Sequence, residues 1–233
     1  MARGIVVTSL VDALVEDLRN QVVSGDLAPG TALTELDVAT RYEVARASAR
    51  AAIERLTAEK VLVRHNHKTA RVVHLGPDDV RDIYRTRTYL ESEVLRRLAS
   101  EGRVPAAARE ANAEIAALWA QGSYSVTVPD MGFHTSLIDA LGSERTSAIY
   151  RSLAFEVRLC MVQLQGRQRL SPEIIVAEHA RLLELIEAGD ADGAASMLDE
   201  HLARARELLA ASLGGEAGPE AFVPSSALAR PAG

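Results

Sequence analysis

Hydrophobic and polar residues alternate at helical spacing through most of the first third of the chain. Between residues 10 and 23 the apolar positions recur every fourth residue and share one helical face: Leu10, Leu14, Leu18 and Val22. Further helices are predicted over residues 34–42, with Thr34 as a suitable N-cap, and over residues 45–59. Residues 61–73 place short apolar runs on both sides of a polar turn, which predicts a β-hairpin. Three helices and a hairpin predict a winged helix-turn-helix.

The rest of the chain is helical in its pattern. Six helices are predicted, near residues 78–101, 105–120, 129–140, 143–166, 172–188 and 191–213. Their short connections predict an antiparallel all-helical bundle, so the fold class is mainly α. A Gly-Pro pair at residue 76 marks the break between the two parts. We therefore expect domains over residues 1–75 and 76–213, and a disordered tail rich in small residues over residues 214–233.

Composition agrees with a helical fold and also indicates the cellular compartment. Aromatic residues make up only 4% of the chain, which favours packed helices over sheet. The single cysteine, Cys160, excludes an intramolecular disulfide and fits a reducing compartment. The first residues lack the pattern of a signal peptide, and no apolar run approaches the ~20 residues that span a bilayer. We expect a soluble cytoplasmic protein with no membrane partner.

The distribution of charge matters more than the net charge of −6. From Arg41 to Arg71 there are eight basic and three acidic residues, whereas from Gly76 onward there are 16 basic and 23 acidic residues. A basic patch on an acidic body is expected when one small surface meets the phosphates of DNA. A solvated charged face is the alternative.

The helix predicted over residues 45–59 carries the residues best suited to DNA. Arg46 and Arg50 lie four residues apart and share one face, Ser48 lies between them, and Arg55 extends the basic surface. A guanidinium can hold a guanine edge or a phosphate through two hydrogen bonds. The hairpin that follows adds further candidate contacts: Arg64, His67 and Lys68. An arginine face exposed to solvent on a surface helix is the alternative.

Three histidines and one aspartate of the second domain predict a metal site. Asp130 and His134 are four residues apart and share a helical face. His179 and His201 each lie eleven residues from the turn at Asp190. In an antiparallel hairpin they therefore reach the same height, about 15 Å from the turn at roughly 1.5 Å per residue. Both lie on apolar faces that point into the bundle.

This set of side chains suits a borderline divalent metal, zinc or nickel, because it combines three imidazoles with one carboxylate. For each residue taken singly there is an alternative. An inward histidine can be a core residue bonded to a backbone carbonyl. Asp130 can belong to a capping box that begins at Thr127.

Two stretches of the first domain resemble the GntR family of bacterial transcription regulators. Residues 27–39 are similar to the family's Pro-Gly turn followed by Leu-x-Glu-x-x-Leu-Ala, and residues 44–56 are similar to its recognition helix, with both arginines in place. The chain departs from the pattern at several positions: Ala47, Ser48 and Ala49 replace Thr-Pro-Val, Leu36 replaces a frequent arginine, and Thr69 replaces the wing glycine. These departures concern the base sequence that is read, not the fold.

The second domain resembles the FCD ligand-binding domain of FadR-like members of that family. Its motifs appear here as Asp130-Met-Gly-Phe-His134, Glu178-His179-Ala-Arg-Leu-Leu183, His201-Leu202 and Arg87-Thr-Tyr-Leu-Glu91. The resemblance implies that Arg87 binds the carboxylate of an effector that also contacts the metal, for which a two-bonded guanidinium is well suited. The alternative for Arg87 is an ion pair with Glu91, four residues on. Ser143 departs from the family's usual Asn.

Together these features predict a ligand-responsive regulator and not an enzyme. It would bind palindromic operator DNA as a homodimer and sense a small carboxylate at the metal. Two alternatives stay open. One is a metal-dependent hydrolase, since an Asp/His site can activate water, although no general base stands out. The other is a regulator whose metal is purely structural.

Overall fold

The computed structural model describes residues 9–64, 68–123, 126–163 and 171–216. It divides the chain into two compact units, Met1–His74 and Leu75–Gly233. Both are built mainly from helices, which confirms the predicted fold class. The tail after residue 216 and the predicted end of the helix over residues 143–166 lie outside the described residues, so these two predictions remain predictions.

The first unit contains three helices and three short strands. They are α1 (Leu10–Ser24), β1 (Ala32–Leu33), α2 (Glu35–Tyr42), α3 (Arg46–Ala58), β2 (Leu62–Val63) and β3 (Ala70–Val72). The sequence sets their ends. Thr34 caps α2 in a capping box with Asp37, as predicted, and Ser9 and Asp12 form an equivalent box on α1. Gly25 ends α1 with a φ of 87°, a conformation that favours glycine.

The sheet of this unit has one strand more than the sequence predicted. The order is β1-β3-β2, with both pairs antiparallel, so β3 lies between the expected partner β2 and the additional β1. Strand β1 contains only two residues, too few to produce a period-two pattern. Its pairing is extended by Thr31, whose carbonyl accepts a hydrogen bond of 2.9 Å from the Val72 N–H.

The core of the first unit forms where the apolar faces of its helices meet the sheet. The helix α1 packs on α3, and α2 packs on α3. The residues buried there include Leu14, Leu18, Val38, Ile53, Leu56, Leu62 and Val72. Five residues of α3 are alanines, and two of them, Ala49 and Ala52, are fully buried in the packing. The opposite face of α3, which carries Arg46 and Arg50, is left to solvent.

The second unit is a helical bundle. Its helices are α4 (Pro77–Ser100), α5 (Ala106–Ala120), α6 (Thr127–Ala140), α7 (Glu144–Gln163), α8 (Pro172–Glu187) and α9 (Ala191–Ser212). The predicted starts agree to within two residues, and at α4, α5, α6 and α8 a proline lies in or next to the first turn. The helix α6 begins two residues earlier than predicted. Pro129 therefore stands inside its first turn, where a missing N–H breaks no hydrogen bond.

Two helix pairs place the functional side chains of this unit. Helices α4 and α9 run antiparallel and pack along their length, with Arg81 near Glu207 at one end and Arg96 near Asp192 at the other. Helices α8 and α9 form a hairpin at Gly189, whose φ is 76°. Asp190 caps α9 by accepting a 2.9 Å hydrogen bond from the Gly193 N–H. Among the described helices, none is long and apolar enough to cross a membrane.

Candidate metal centre and nucleic-acid interface

The bundle brings together the four side chains that the sequence singled out as metal ligands. Asp130 and His134 come from α6, His179 from α8 and His201 from α9. One ligand atom from each lies within 4.8 Å of the others. The three histidines are buried and Asp130 is partly exposed. The helix hairpin therefore sets His179 and His201 side by side, as its symmetry about Asp190 suggested.

The His134 ring is oriented by a carboxylate. Its Nδ1 lies 2.6 Å from Glu91 Oε2, and both side chains are buried. Burial alone would raise the pKa of Glu91, but Arg87 and the bonds from His134 and Tyr150 hold that pKa well below its usual range. An ionised carboxylate can only accept, so the proton of the ring is on Nδ1. His134 Nε2 is then a lone-pair donor with no protein partner in the described structure.

The His201 ring has a similar arrangement on the neighbouring helix. Its Nδ1 lies 2.8 Å from Glu178 Oε2, and the same carboxylate forms an ion pair with Arg204. Because Nδ1 of His201 is bonded to the carboxylate, Nε2 is the nitrogen that remains for a ligand. A carboxylate behind a histidine is the usual support of a metal-ligating ring, since it fixes the tautomer and the orientation.

The third ring, His179, has no carboxylate behind it. It stacks flat on Phe133, with 3.7 Å between the ring centroids and 4° between their planes. Its Nε2 lies 3.6 Å from Asp130 Oδ1, and neither ring nitrogen has a hydrogen-bond partner among the described residues. Burial, with the nearby His201 and His134, lowers the pKa of His179 well below its ordinary value, so the ring is neutral. Two unpartnered buried nitrogens are costly, and a ligand would satisfy one of them.

Neither alternative for these residues fits the structure. A core histidine bonded to a backbone carbonyl does not describe His179, whose nitrogens have no such partner in the part of the chain described. The capping-box interpretation of Asp130 was wrong. Val126 is the N-cap of α6, no side chain caps this helix, and Thr127 is already its first residue. The donor set of three imidazoles and one carboxylate fits a divalent metal.

Arg87 forms the ion pair with Glu91 that the sequence offered as an alternative. It is 1% exposed, and its Nε donates a 2.8 Å hydrogen bond to Glu91 Oε1. Its Nη2 is buried without a partner in the described structure. The guanidinium also lies over the ring of Tyr84, 4.8 Å from the centroid. One edge of Arg87 therefore forms the predicted ion pair, and one amine remains for another acceptor.

A cavity of about 170 Å³ lies against this cluster. Arg87, Asp130 and His201 line its polar part, together with Glu178 and Arg204. The sequence alone gives no role to Glu178 or Arg204, and it suggests Glu91 only as a partner of Arg87. The roles of Glu91 and Glu178 beside the histidines depend on contacts between helices that are distant in the sequence. Glu91 lies 43 residues from His134, and Glu178 lies 23 residues from His201.

In the first unit, three of the predicted DNA-binding residues line one open concavity. Arg46 at the start of α3 and Arg64 and Lys68 of the wing border it, together with Thr34 and Leu36. The concavity has a volume of about 400 Å³. All three basic side chains are exposed, as contact with phosphate or base edges requires. Leu36, which replaces a frequent arginine of the family, is 53% exposed on the same surface.

The remaining predicted contacts are distributed differently. Arg50 is exposed and bonds to Glu54 at 2.8 Å. Arg55 joins α3 to α1 through an ion pair with Asp12 and bonds to Glu59 at 3.1 Å. Ser48 is half-buried. His67 lies outside the described residues, so its predicted role remains a prediction.

Comparison with known proteins identifies both units. Residues 10–72 match the bacterial regulatory proteins of the gntR family, and residues 82–204 match the FCD domain. BphR of Paraburkholderia xenovorans, an uncharacterized HTH-type transcriptional regulator, is 35% identical over 96 residues. That match covers 41% of this chain and only 39% of the length of BphR.

Two solved structures share the fold. A GntR transcriptional regulator from Rhodococcus sp. RHA1 is 20% identical, with a TM-score of 0.73 over 85% of this chain and 96% of that one. The metal-free FCD domain of the regulator TM0439 is 22% identical, with a TM-score of 0.51 over 60% of this chain and 97% of that one. Because the FCD match alone spans more than half of the chain, the protein belongs to the GntR family of transcription regulators and carries an FCD domain.

Proposed function

We infer that this regulator senses a small carboxylate at a divalent metal in its FCD domain and thereby changes its affinity for operator DNA. One observation carries the proposal. Two buried histidines of the cluster, His134 and His179, have unpartnered nitrogens, and an arginine with an unpartnered amine lines the cavity beside the cluster, together with Asp130 and His201. Buried polar atoms without partners are rare in proteins, and several together indicate that something binds there.

The metal site would be formed by Asp130, His134, His179 and His201. The nitrogen-rich donor set favours zinc or nickel over magnesium or calcium, which prefer oxygen ligands. A bound ion would supply a Lewis-acidic centre for a carboxylate oxygen. Glu91 and Glu178 would hold the His134 and His201 rings in the tautomer that presents Nε2 to the site.

Arg87 would bind the effector. Its Nη2 is buried and unpartnered among the described residues, and Glu91 fixes the other edge of the guanidinium. A carboxylate that satisfies this amine forms a charge-assisted hydrogen bond, about twice as strong as a neutral one. The ion pair with Glu91 thus positions Arg87 and does not compete with its binding role.

DNA binding would follow the pattern of the family. A homodimer presents two α3 helices to two half-sites, with Arg46 and Arg50 at base edges and Arg64 and Lys68 at the backbone. Ser48 lies in the first turn of α3, and His67 falls between β2 and β3 in the sequence; both would support these contacts. Arg55 contributes least, because its guanidinium is bound by Asp12 and Glu59. Action on operator DNA places the protein in the cytoplasm.

A hydrolase built on the same cluster is less well supported. The carboxylates behind the histidines, Glu91 and Glu178, are each held by an arginine. Each oxygen of these carboxylates already has a hydrogen-bond partner, so neither group is placed to take a proton from water. Incubating the zinc-loaded protein with simple esters, amides and phosphates would reveal this activity as turnover.

The proposal is tested by measuring operator affinity under three conditions. Fluorescence anisotropy with a labelled fragment of the regulator's own promoter is recorded for the metal-free protein, the zinc-loaded protein, and the zinc-loaded protein with a carboxylate found by thermal shift. We expect the carboxylate to change the operator Kd only when zinc is present, since linked sites affect each other reciprocally. A purely structural metal predicts instead that chelation lowers the melting temperature without altering the response to the ligand.

A further inference from the structure

The cavity beside the metal cluster has a polar end and an apolar end. The antiparallel packing of α8 and α9 shows where each end of the cavity lies along the bundle. The level of His201 and His179 is polar, whereas Leu208 on α9 lies seven residues farther from the hairpin turn, about 10 Å along the helix. Beyond the cluster, two hydroxyl-bearing residues line the cavity, Ser171 and Tyr84, and the other described side chains that line it are hydrophobic: Met161, Ile174, Ile175, Leu202, Ala205 and Leu208.

Among the described residues that line this cavity, the charged groups are already paired, except at the metal. Arg87 is balanced by Glu91, and Arg204 is balanced by Glu178. Asp130 would neutralise half of the charge of a divalent ion, and histidines that donate a lone pair to the metal carry no charge. A single positive charge would remain, so one monoanion completes the balance. A second carboxylate would have no counterion among the described residues of the cavity, and a buried charge without a counterion is costly.

The volume of the cavity limits the size of the apolar part of a bound ligand. A cavity of about 150 Å³ lined by aliphatic side chains is large enough for a benzene molecule. The cavity here measures about 170 Å³, so it has space for a carboxylate and one compact apolar group. Hydroxyl groups on that part of the ligand would find few partners among Ile174, Leu202 and Leu208, and a buried hydroxyl without a partner is unfavourable.

We propose that the effector is a monocarboxylate with a compact apolar body, a single ring or a short branched chain, rather than a sugar acid or a dicarboxylate. This inference rests on the proposed function. The carboxylate binds at the Arg87 and metal end, and the apolar body extends along α9 toward Leu208.

Isothermal titration calorimetry of the zinc-loaded full-length protein tests the inference with four acids. Benzoate has the proposed features, acetate lacks the apolar body, gluconate has a polar body, and terephthalate adds a second carboxylate at the far end of the ring. We expect benzoate to bind roughly tenfold or more tightly than acetate, because its ring leaves water for an apolar lining. Gluconate and terephthalate should each bind at least roughly tenfold more weakly than benzoate.

Two variants locate the apolar body in the cavity. Ala205→Leu fills the apolar end and should weaken benzoate by roughly tenfold or more while acetate changes little. Leu208→Ser, at a half-buried position that tolerates substitution better, should weaken benzoate and leave acetate unchanged. Zinc content and melting temperature are measured for both variants, so that a loss of folding is not mistaken for a loss of binding.

The outcomes separate the two proposals. If acetate, gluconate or terephthalate binds at least as tightly as benzoate, the inference about the apolar body is wrong, and carboxylate sensing stands. If benzoate is the tightest ligand but neither variant weakens it, the apolar body does not lie at this end of the cavity, and the inference is also overturned. If none of the four acids binds the zinc-loaded protein, carboxylate sensing fails as well.

Discussion

The two units contain ion pairs of the same local geometry in opposite surroundings. Arg50 Nε lies 2.8 Å from Glu54 Oε1 on α3, and Arg87 Nε lies 2.8 Å from Glu91 Oε1 on α4. Each pair joins residues four apart on a helix. The side chains of the first pair are 64% and 52% exposed, and those of the second are both 1% exposed. The same pattern of residues therefore has different physical consequences.

The exposed pair is easily exchanged for other partners. Water and salt screen its attraction, so the Arg50 guanidinium can leave Glu54 for a phosphate or a base edge at little cost. The buried pair cannot be exchanged in this way. Removing Glu91 would leave a buried cation, and it would also take the acceptor from His134 and Tyr150. A buried charged side chain is held in place by its partners. An unpartnered polar atom on it therefore indicates a binding site, whereas such an atom on an exposed side chain can bond to water.

The largest expected effect follows from removing the buried carboxylate. Glu91→Ala should lower the free energy of unfolding of the FCD domain by about 3–5 kcal/mol, because Arg87 is left without its counterion. Denaturant titration followed by the fluorescence of Trp119, the only tryptophan and a residue of α5, reports on this domain. The matched Glu54→Ala should leave the transition unchanged. Equal effects of the two substitutions would contradict the comparison.

The second prediction concerns the carboxylate behind His201. Glu178→Gln should weaken zinc binding by roughly ten- to a hundredfold, because the ring loses the charge that orients it and strengthens Nε2 as a ligand. Competition with a chelator of known affinity measures this change. Glu184→Gln on the same helix is the control, since Glu184 bonds to Arg181 at 2.9 Å with both side chains exposed. A zinc affinity as high in Glu178→Gln as in this control would exclude a positioning role for Glu178.

A smaller effect is expected at the DNA-binding surface. Arg46→Ala should weaken operator binding by about 1–3 kcal/mol if its guanidinium contacts a base. Arg55→Ala should change the operator Kd much less, because Arg55 is engaged by Asp12 and Glu59. Fluorescence anisotropy at fixed salt measures both. Wild-type affinity in Arg46→Ala, or an equal loss in Arg55→Ala, would require a different assignment of the contacts.

The sequence predicted the parts of this structure that depend on local patterns. Helical periodicity and prolines located the helices, and the equal spacing of His179 and His201 from Asp190 suggested that the two rings meet. The strand β1 was missed because two residues carry no pattern. The pairings of Glu91 with His134 and of Glu178 with His201 were also missed, because they join different helices. Only the packing of those helices decides which side chains meet.

Arg55 also has a partner that the sequence alone does not reveal. On the sequence it extends the basic surface of α3. Arg55 lies nine residues after Arg46, and at roughly 100° per residue it is therefore on the opposite side of α3. In the structure it contacts Asp12 of α1. Arg46 and Arg50 differ by only about 40° on the same helix. The angular position was available from the sequence, but the partner on α1 was not.

Elemental analysis shows whether Asp130, His134, His179 and His201 hold a divalent metal, on which the proposed sensing depends. The protein is purified without chelator beside the Asp130→Ala/His134→Ala double variant, and both are also analysed after incubation with zinc or nickel and dialysis. We expect about one zinc or nickel ion per chain in the wild type and none in the variant. A wild-type protein that holds no metal after loading, or a variant that retains it, would show that these four residues are not a metal site.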